Sequence, residues 1–122
     1  MYINAYILSV PEEKKNDYIQ IAKVFAEVAK DFGVIEIFEN WEVDVPDGDQ
    51  TDYRKAVKAE PGEKIVMSWT VWPDKNTCDE AHKGMFEDER FADLGDMPFD
   101  GKRMILGAFE PILTYKKTDS QQ

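Results

Sequence analysis

KIVMSWTVW, residues 64 to 72, decides the fold. β-Branched and aromatic residues fill it and Pro73 ends it, so the run reads as a strand. Alternation sends Ile65, Met67, Trp69 and Val71 to one side and Val66, Ser68, Thr70 and Trp72 to the other. Both sides are largely apolar, so this strand needs cover on both faces.

The next element follows directly. Asp74 caps a helix that carries Cys78, Ala81, His82, Met85 and Phe86 at helical spacing and runs to near Arg90. Residues 91 to 100 read as a loop, and Arg103 to Tyr115, RMILGAFEPILTY, as a last strand. There Met104, Leu106, Ala108 and Ile112 oppose Ile105, Gly107, Phe109 and Leu113, again with two apolar sides.

Upstream, Tyr2 to Val10 is a strand closed by Pro11, which suits the first turn of a helix. Tyr18, Ile21, Ala22, Phe25, Val28, Ala29 and Phe32 make Glu12 to Phe32 an amphipathic helix, and Gly33 stops it. Val34 to Val45 alternates as a long second strand, with Ile35, Ile37, Trp41 and Val43 on one face and Glu36, Phe38, Asn40, Glu42 and Asp44 on the other. Residues 46 to 62 are a connecting excursion that begins in a Pro-Asp-Gly turn and ends in Pro61-Gly62.

Strand, helix, strand, then strand, helix, strand is the split βαβ order. It predicts an α+β, ferredoxin-like βαββαβ sandwich with an antiparallel sheet, formed by residues 1 to 116 as one domain, with 117 to 122 as a polar tail. Two helices can cover only one face of a four-stranded sheet. The apolar second face therefore predicts a homodimer through sheet packing.

At this point the chain resembles a known group. VP at the end of the first strand, VDVPDG after the second, IVMSW in the third and MPFDGKRMI with GAFE before the C-terminus are similar to the YbaA-like family of uncharacterised small bacterial proteins. The resemblance covers nearly the whole chain and implies a ferredoxin-like fold of the dimeric α+β barrel type. It implies no activity. It also implies one departure, since the family usually carries asparagine where this chain has His82.

Composition limits the partners. Fifteen lysines and arginines against 25 acids give a net charge of −10, which repels phosphate backbones and anionic lipid, so neither nucleic acid nor a membrane is an expected partner. The absence of a cationic leader and the single Cys78 fit a cytoplasmic protein. One histidine and one cysteine form no soft-ligand set, so no metal site and no cofactor are expected. GxGxxG, GxSxG and P-loop patterns are absent.

Candidate chemistry is correspondingly sparse. His82 lies on the apolar side of its helix, where it is either a packed imidazole or a base or ligand facing a cavity. Glu42 and Asp44 share a strand face, and paired carboxylates can divide acid and base roles, or can simply solubilise a strand end. Trp41, Trp69, Met85 and Phe99 are candidates to line an apolar pocket, with Arg103 placed to hold a ligand carboxylate or to pair with an acid. Two functions stay open: a module that binds a small apolar or aromatic ligand between sheet and helices, and a cofactor-independent enzyme of monooxygenase or isomerase type. A cavity containing a buried carboxylate or His82 would separate the second from a collapsed core.

Overall fold

In the computed structural model, which describes residues 1–92 and 94–117, the strands are β1 (Tyr2–Pro11), β2 (Glu36–Trp41), β3 (Glu63–Trp72) and β4 (Ile105–Phe109). The helices are α1 (Lys15–Asp31), the single turn α2 (Tyr53–Ala56) and α3 (Lys75–Met85). All pairings are antiparallel, in the order β2-β3-β1-β4. The ferredoxin-like sandwich expected from the sequence is present. The polar tail expected from residue 117 lies, apart from Lys117, outside the described residues.

The barrel implied by the family resemblance is not. β2 and β4 are the two edges, separated by β3 and β1, and among the described residues neither pairs with any further strand. Closure would need those edges to meet, and four strands are too few to curl into a cylinder with a filled interior. The sheet is open, and the dimeric α+β barrel reading is corrected to an open sandwich.

Register shows what each face carries. On one face the rows across the sheet are Glu36, Val71, Ile3 and Phe109, then Phe38, Trp69, Ala5 and Gly107, then Asn40, Met67, Ile7 and Ile105. On the other, the rows are Ile37, Thr70, Asn4 and Ala108, then Glu39, Ser68, Tyr6 and Leu106, then Trp41, Val66 and Leu8. The helices lie over this second face, but at its β4 edge Leu106 and Ala108 stay exposed. Val28, Ala29, Trp72, Cys78, Ala81 and Met85 form one buried cluster, and Leu8, Val10, Tyr18 and Val66 form another.

Local chemistry sets the element ends. Gly33 has a φ of 96°, and the N–H groups of Gly33 and Val34 donate to the carbonyls of Lys30 and Ala29 at 3.2 Å, which closes α1 with the left-handed turn that glycine allows. Asp74 caps α3 by accepting from the Thr77 N–H at 2.7 Å. Pro11 stays in β1, and a short 3-10 turn at Glu12–Lys14 carries the chain into α1.

The 42–62 excursion folds back on one end of the first face. Arg54 reaches Glu42 at 2.5 Å and the Glu63 carbonyl at 3.1 Å, and Arg103 reaches the Lys58 carbonyl at 2.9 Å. At that end Ser9, Glu63 and Ile65 are buried. Farther along, Phe38, Met67, Ile105 and Phe109 keep between 38% and 59% of their surface exposed, an apolar face without cover in a single chain.

Candidate functional site

The helix-covered face of the sheet carries polar residues where a simple core would be apolar. Asn4, Ser68 and Thr70 are buried there, and Tyr6 and Glu39 complete a polar patch spanning β1, β2 and β3. Such positions carry a desolvation cost unless every polar atom has a partner. Among the described residues no buried side-chain nitrogen or oxygen lacks one. Asn4 donates to Cys78, Trp72 to Thr70 and Tyr18 to Glu39, so the patch is partnered rather than a packing fault.

Above it lies a cavity of about 550 Å³, bounded by β1 and β4 below, α1 and α3 above, and Phe86, Phe91, Met97 and Phe99 at the side. Its size falls in the range of small-molecule sites. Ile21, Phe25, Phe86, Phe91 and Leu106 give an apolar wall, while Asn4, Tyr6, Ser68 and Glu39 give polar points on the floor.

Two small clusters stand at opposite ends of that floor. In the first, Asn4 Nδ2 lies 3.0 Å from Cys78 Sγ and 3.5 Å from His82 Nε2, and His82 Nδ1 lies 3.6 Å from the same sulfur. Cys78 and His82 are one helical turn apart, so α3 presents both to Asn4. Burial pushes the Cys78 thiol up, which keeps it a neutral packing group rather than a nucleophile. In the second, the Tyr18 hydroxyl donates to Glu39 Oε1 at 2.7 Å. Burial is the main cause that holds the Glu39 carboxyl above its usual range, and the hydrogen bonds from Tyr18 and Ser68 oppose it. The Glu39 side chain is nonetheless accessible, because it opens onto clefts on both sides. Burial and the neighbouring Glu39 push the Tyr18 phenol up as well.

The residues singled out from the sequence are distributed as follows. His82 and Phe99 line the cavity. Met85 is buried in the core, 1% exposed. Trp41 lines a separate groove between α1 and β2. Trp69 lies on the open face of the sheet, stacked on Phe38 with ring centroids 4.9 Å apart. Glu42 is held by Arg54 and by the Ile65 N–H at 2.7 Å, and Asp44 is exposed beyond the end of β2. Arg103 grips Glu63 in a two-pronged pair at 2.8 and 2.9 Å.

Glu39, Asn4, Tyr6, Tyr18 and Ser68 were not among the residues singled out. The signal for them was present: polar side chains at alternating positions on the helix-facing side of three strands. The carboxylates that line the cavity are Asp79 on α3 and Glu39, which lies one face over from Glu42.

Residues 1–101 match the family model for a protein of unknown function, DUF1428. The chain is also 46% identical over 113 residues to the uncharacterized protein YbaA of Escherichia coli K12, covering 92% of this chain and 97% of that one, and equally to YbaA of Shigella flexneri. The chain belongs to the YbaA family. Among solved structures, the fold of this YbaA-family chain is similar to that of a mutant of MhuD with two manganese protoporphyrin IX molecules bound per active site, with a TM-score of 0.66 and 12% identity over 96% of this chain and all of that one. It is also similar to a dimeric ferredoxin-like protein from an uncultured marine organism, with a TM-score of 0.58 and 7% identity over 96% of this chain and all of that one. At these identities the likeness carries the fold alone.

Proposed function

We propose that this YbaA-family protein binds a small, largely apolar molecule in the cavity between the helices and the sheet. The carrying observation is the polar floor. Asn4, Tyr6, Ser68 and Glu39 occupy core-facing positions beneath about 550 Å³ of space, where a fold selected only for stability would place aliphatic side chains. An apolar body would lie against Phe25, Phe86 and Phe91, and a hydroxyl or carbonyl at its edge would meet Asn4 and His82 or Tyr18 and Glu39.

The ligand of MhuD offers one specific probe. His82 is the chain's single imidazole and lines the cavity, as an axial ligand for a metalloporphyrin would. No lysine or arginine is among the described lining residues to meet porphyrin carboxylates, so a neutral apolar molecule suits the wall better. A second reading, cofactor-independent acid–base chemistry, draws support from a carboxyl and an imidazole lining one apolar cavity.

Thermal shift with 2-naphthol, menadione and hemin tests the binding reading, because a ligand for the native state raises the melting temperature. At least one should give a rise that His82→Ala or Asn4→Leu reduces. A set of unshifted melting curves would remove the proposal. Turnover of a bound ligand that disappears in Glu39→Gln while binding persists would favour the enzyme reading.

A second copy of this chain is the proposed cover for the open face of the sheet. The support is its three rows of mainly apolar side chains and the dimeric state in which the ferredoxin-like marine protein is described.

A further inference from the structure

The cavity has a neighbour. Between α1 and β2 runs a groove of about 410 Å³, lined by Lys15, Ile19, Lys23, Ile37, Trp41 and Val66 among others. Tyr18, Ala22 and Glu39 line both spaces. Beneath α1, therefore, a small alanine side chain and the Tyr18–Glu39 pair, hydrogen-bonded at 2.7 Å, form a wall common to the two spaces.

The two ends differ in charge. The described lining of the larger cavity includes Glu39 and Asp79 and no lysine or arginine. The groove carries Lys15 and Lys23, two helical turns apart on α1. Lys15 Nζ stands 5.2 Å from the centre of the Trp41 ring, a cation held over an aromatic face at the groove wall. Among the described residues neither lysine has a carboxylate within ion-pair distance. Two cations outside ion-pair distance of any described carboxylate, on a largely apolar groove whose described lining has Glu39 as its acid, offer an anion local positive charge in a chain of net charge −10.

We propose that the groove and the cavity form one passage beneath α1, and that its ligand is an amphipathic carboxylic acid whose carboxylate sits between Lys15 and Lys23 and whose apolar body runs past Ala22 towards the larger cavity. This rests on the reading that the larger cavity binds an apolar molecule, and it names the chemical class and the orientation. A ligand in the passage would break the Tyr18–Glu39 hydrogen bond, and Ser68 and Tyr6, in the same row as Glu39, would be the replacement partners on the sheet floor.

The test is a matched pair of probes, decanoate and decanol, titrated below their aggregation limits into isotope-labelled protein and followed by NMR. Decanoate should bind about tenfold more tightly than decanol, the ratio expected of two partly exposed charge contacts. It should shift the Trp41 indole together with amides near Phe91 and Leu106. In a Lys15→Gln, Lys23→Gln double variant the preference should vanish while decanol binds as before. Ala22→Phe, which fills the shared wall, should confine the shifts to the Trp41 side. A preference that survives the double variant, or decanoate shifts limited to one of the two spaces in the unaltered protein, would overturn the passage. If decanoate does not bind but 2-naphthol shifts the cavity amides, the passage falls and the cavity reading stands. If neither probe binds, both fall.

Discussion

Arg103 shows how one residue's surroundings decide its role. In sequence it stood at a strand mouth between two jobs, pairing with an acid or holding a ligand. Its fork is filled: both prongs meet Glu63, one also meets Ser9 at 3.2 Å, and Nε reaches Asp100 at 3.3 Å. The hydrogen bonds from Arg103 are the main cause that holds the Glu63 carboxyl at about 2, below its ordinary 4.5. A depressed carboxyl contributes stability that is complete above its unfolded value and disappears as the pH falls through the folded one. Urea unfolding should therefore show Glu63→Gln to be less stable than the natural protein by roughly 3 kcal/mol at pH 7, with the gap closing between about pH 4.5 and pH 2. A gap that stays constant down to pH 2 would mean that the pair contributes through packing rather than charge.

Tyr18 and Glu39 invite the opposite experiment. They join a buried phenol to an accessible carboxyl on the helix-facing side of the sheet, a hydrogen bond that a purely structural core would not need. Removing one partner strands the other, whereas replacing both by apolar groups of similar shape is nearly neutral or stabilising. Tyr18→Phe with Glu39→Leu should thus lie within about 1 kcal/mol of the natural protein or above it, while Tyr18→Phe alone costs about 1 kcal/mol. If the double variant is also the one that stops binding apolar probes, stability and function are separable at this pair. Chemical denaturation of the three proteins measures the first part.

Among the elements, periodicity made β1, β3, α1 and the order of the fold readable, because one-sided burial writes itself into spacing. The ends of β2, α3 and β4 were less readable for local reasons. β2 was expected to reach Val45 but ends at Trp41, where Glu42 turns its carboxylate onto the Ile65 N–H at 2.7 Å and onto Arg54. The last strand was expected over residues 103 to 115 and spans Ile105–Phe109, because Gly101–Arg103 is a 3-10 turn and Pro111 has no N–H to donate to a ladder. The second long helix stops at Met85 rather than near Arg90, and Asp88 starts a separate 3-10 turn by accepting from the Arg90 N–H at 2.9 Å. The site was harder still. His82 could be placed on a face, but the polar floor depends on register across three strands, which no single stretch of sequence displays.

The turn after α1 is an element-scale feature that the sequence did show, and it can be tested alone. Gly33 sits at a φ of 96° with a Thr77 methyl 3.3 Å from where a Cβ would stand. Gly33→Ala should cost roughly 1–2 kcal/mol through backbone strain, with helix content unchanged by circular dichroism. An unaltered melting midpoint would show that the turn can relax out of the left-handed region at no cost.

At the scale of the whole molecule, one sheet surface remains to be explained. Three rows on four strands make a patch about 20 Å on each side from ordinary strand and residue spacing, roughly 400 Å² in projection. That is the size of the largest apolar patch on a typical monomer, about 300–600 Å², and such a patch is often a contact surface. Its chemistry favours self-association. The apolar side chains of β1 and β3 are central, whereas Glu36 and Asn40 lie on β2 at one margin, the arrangement of apolar centre and polar rim that interfaces adopt. A two-fold axis through β1 would bring Ile7 and Phe109 against the same surface of a second chain. Replacing an apolar side chain at such a centre with a charge buries that charge twice in a symmetric dimer, so the penalty is doubled while the single chain is nearly unaffected. Ile7→Lys with Phe109→Lys should therefore give a monomer by light scattering at micromolar concentration, where the natural protein should give a dimer, with the far-ultraviolet circular dichroism unchanged. A natural protein that is itself monomeric at that concentration would refute self-association, and binding of apolar probes by the monomeric variant would show that the cavity belongs to each chain rather than to the pair.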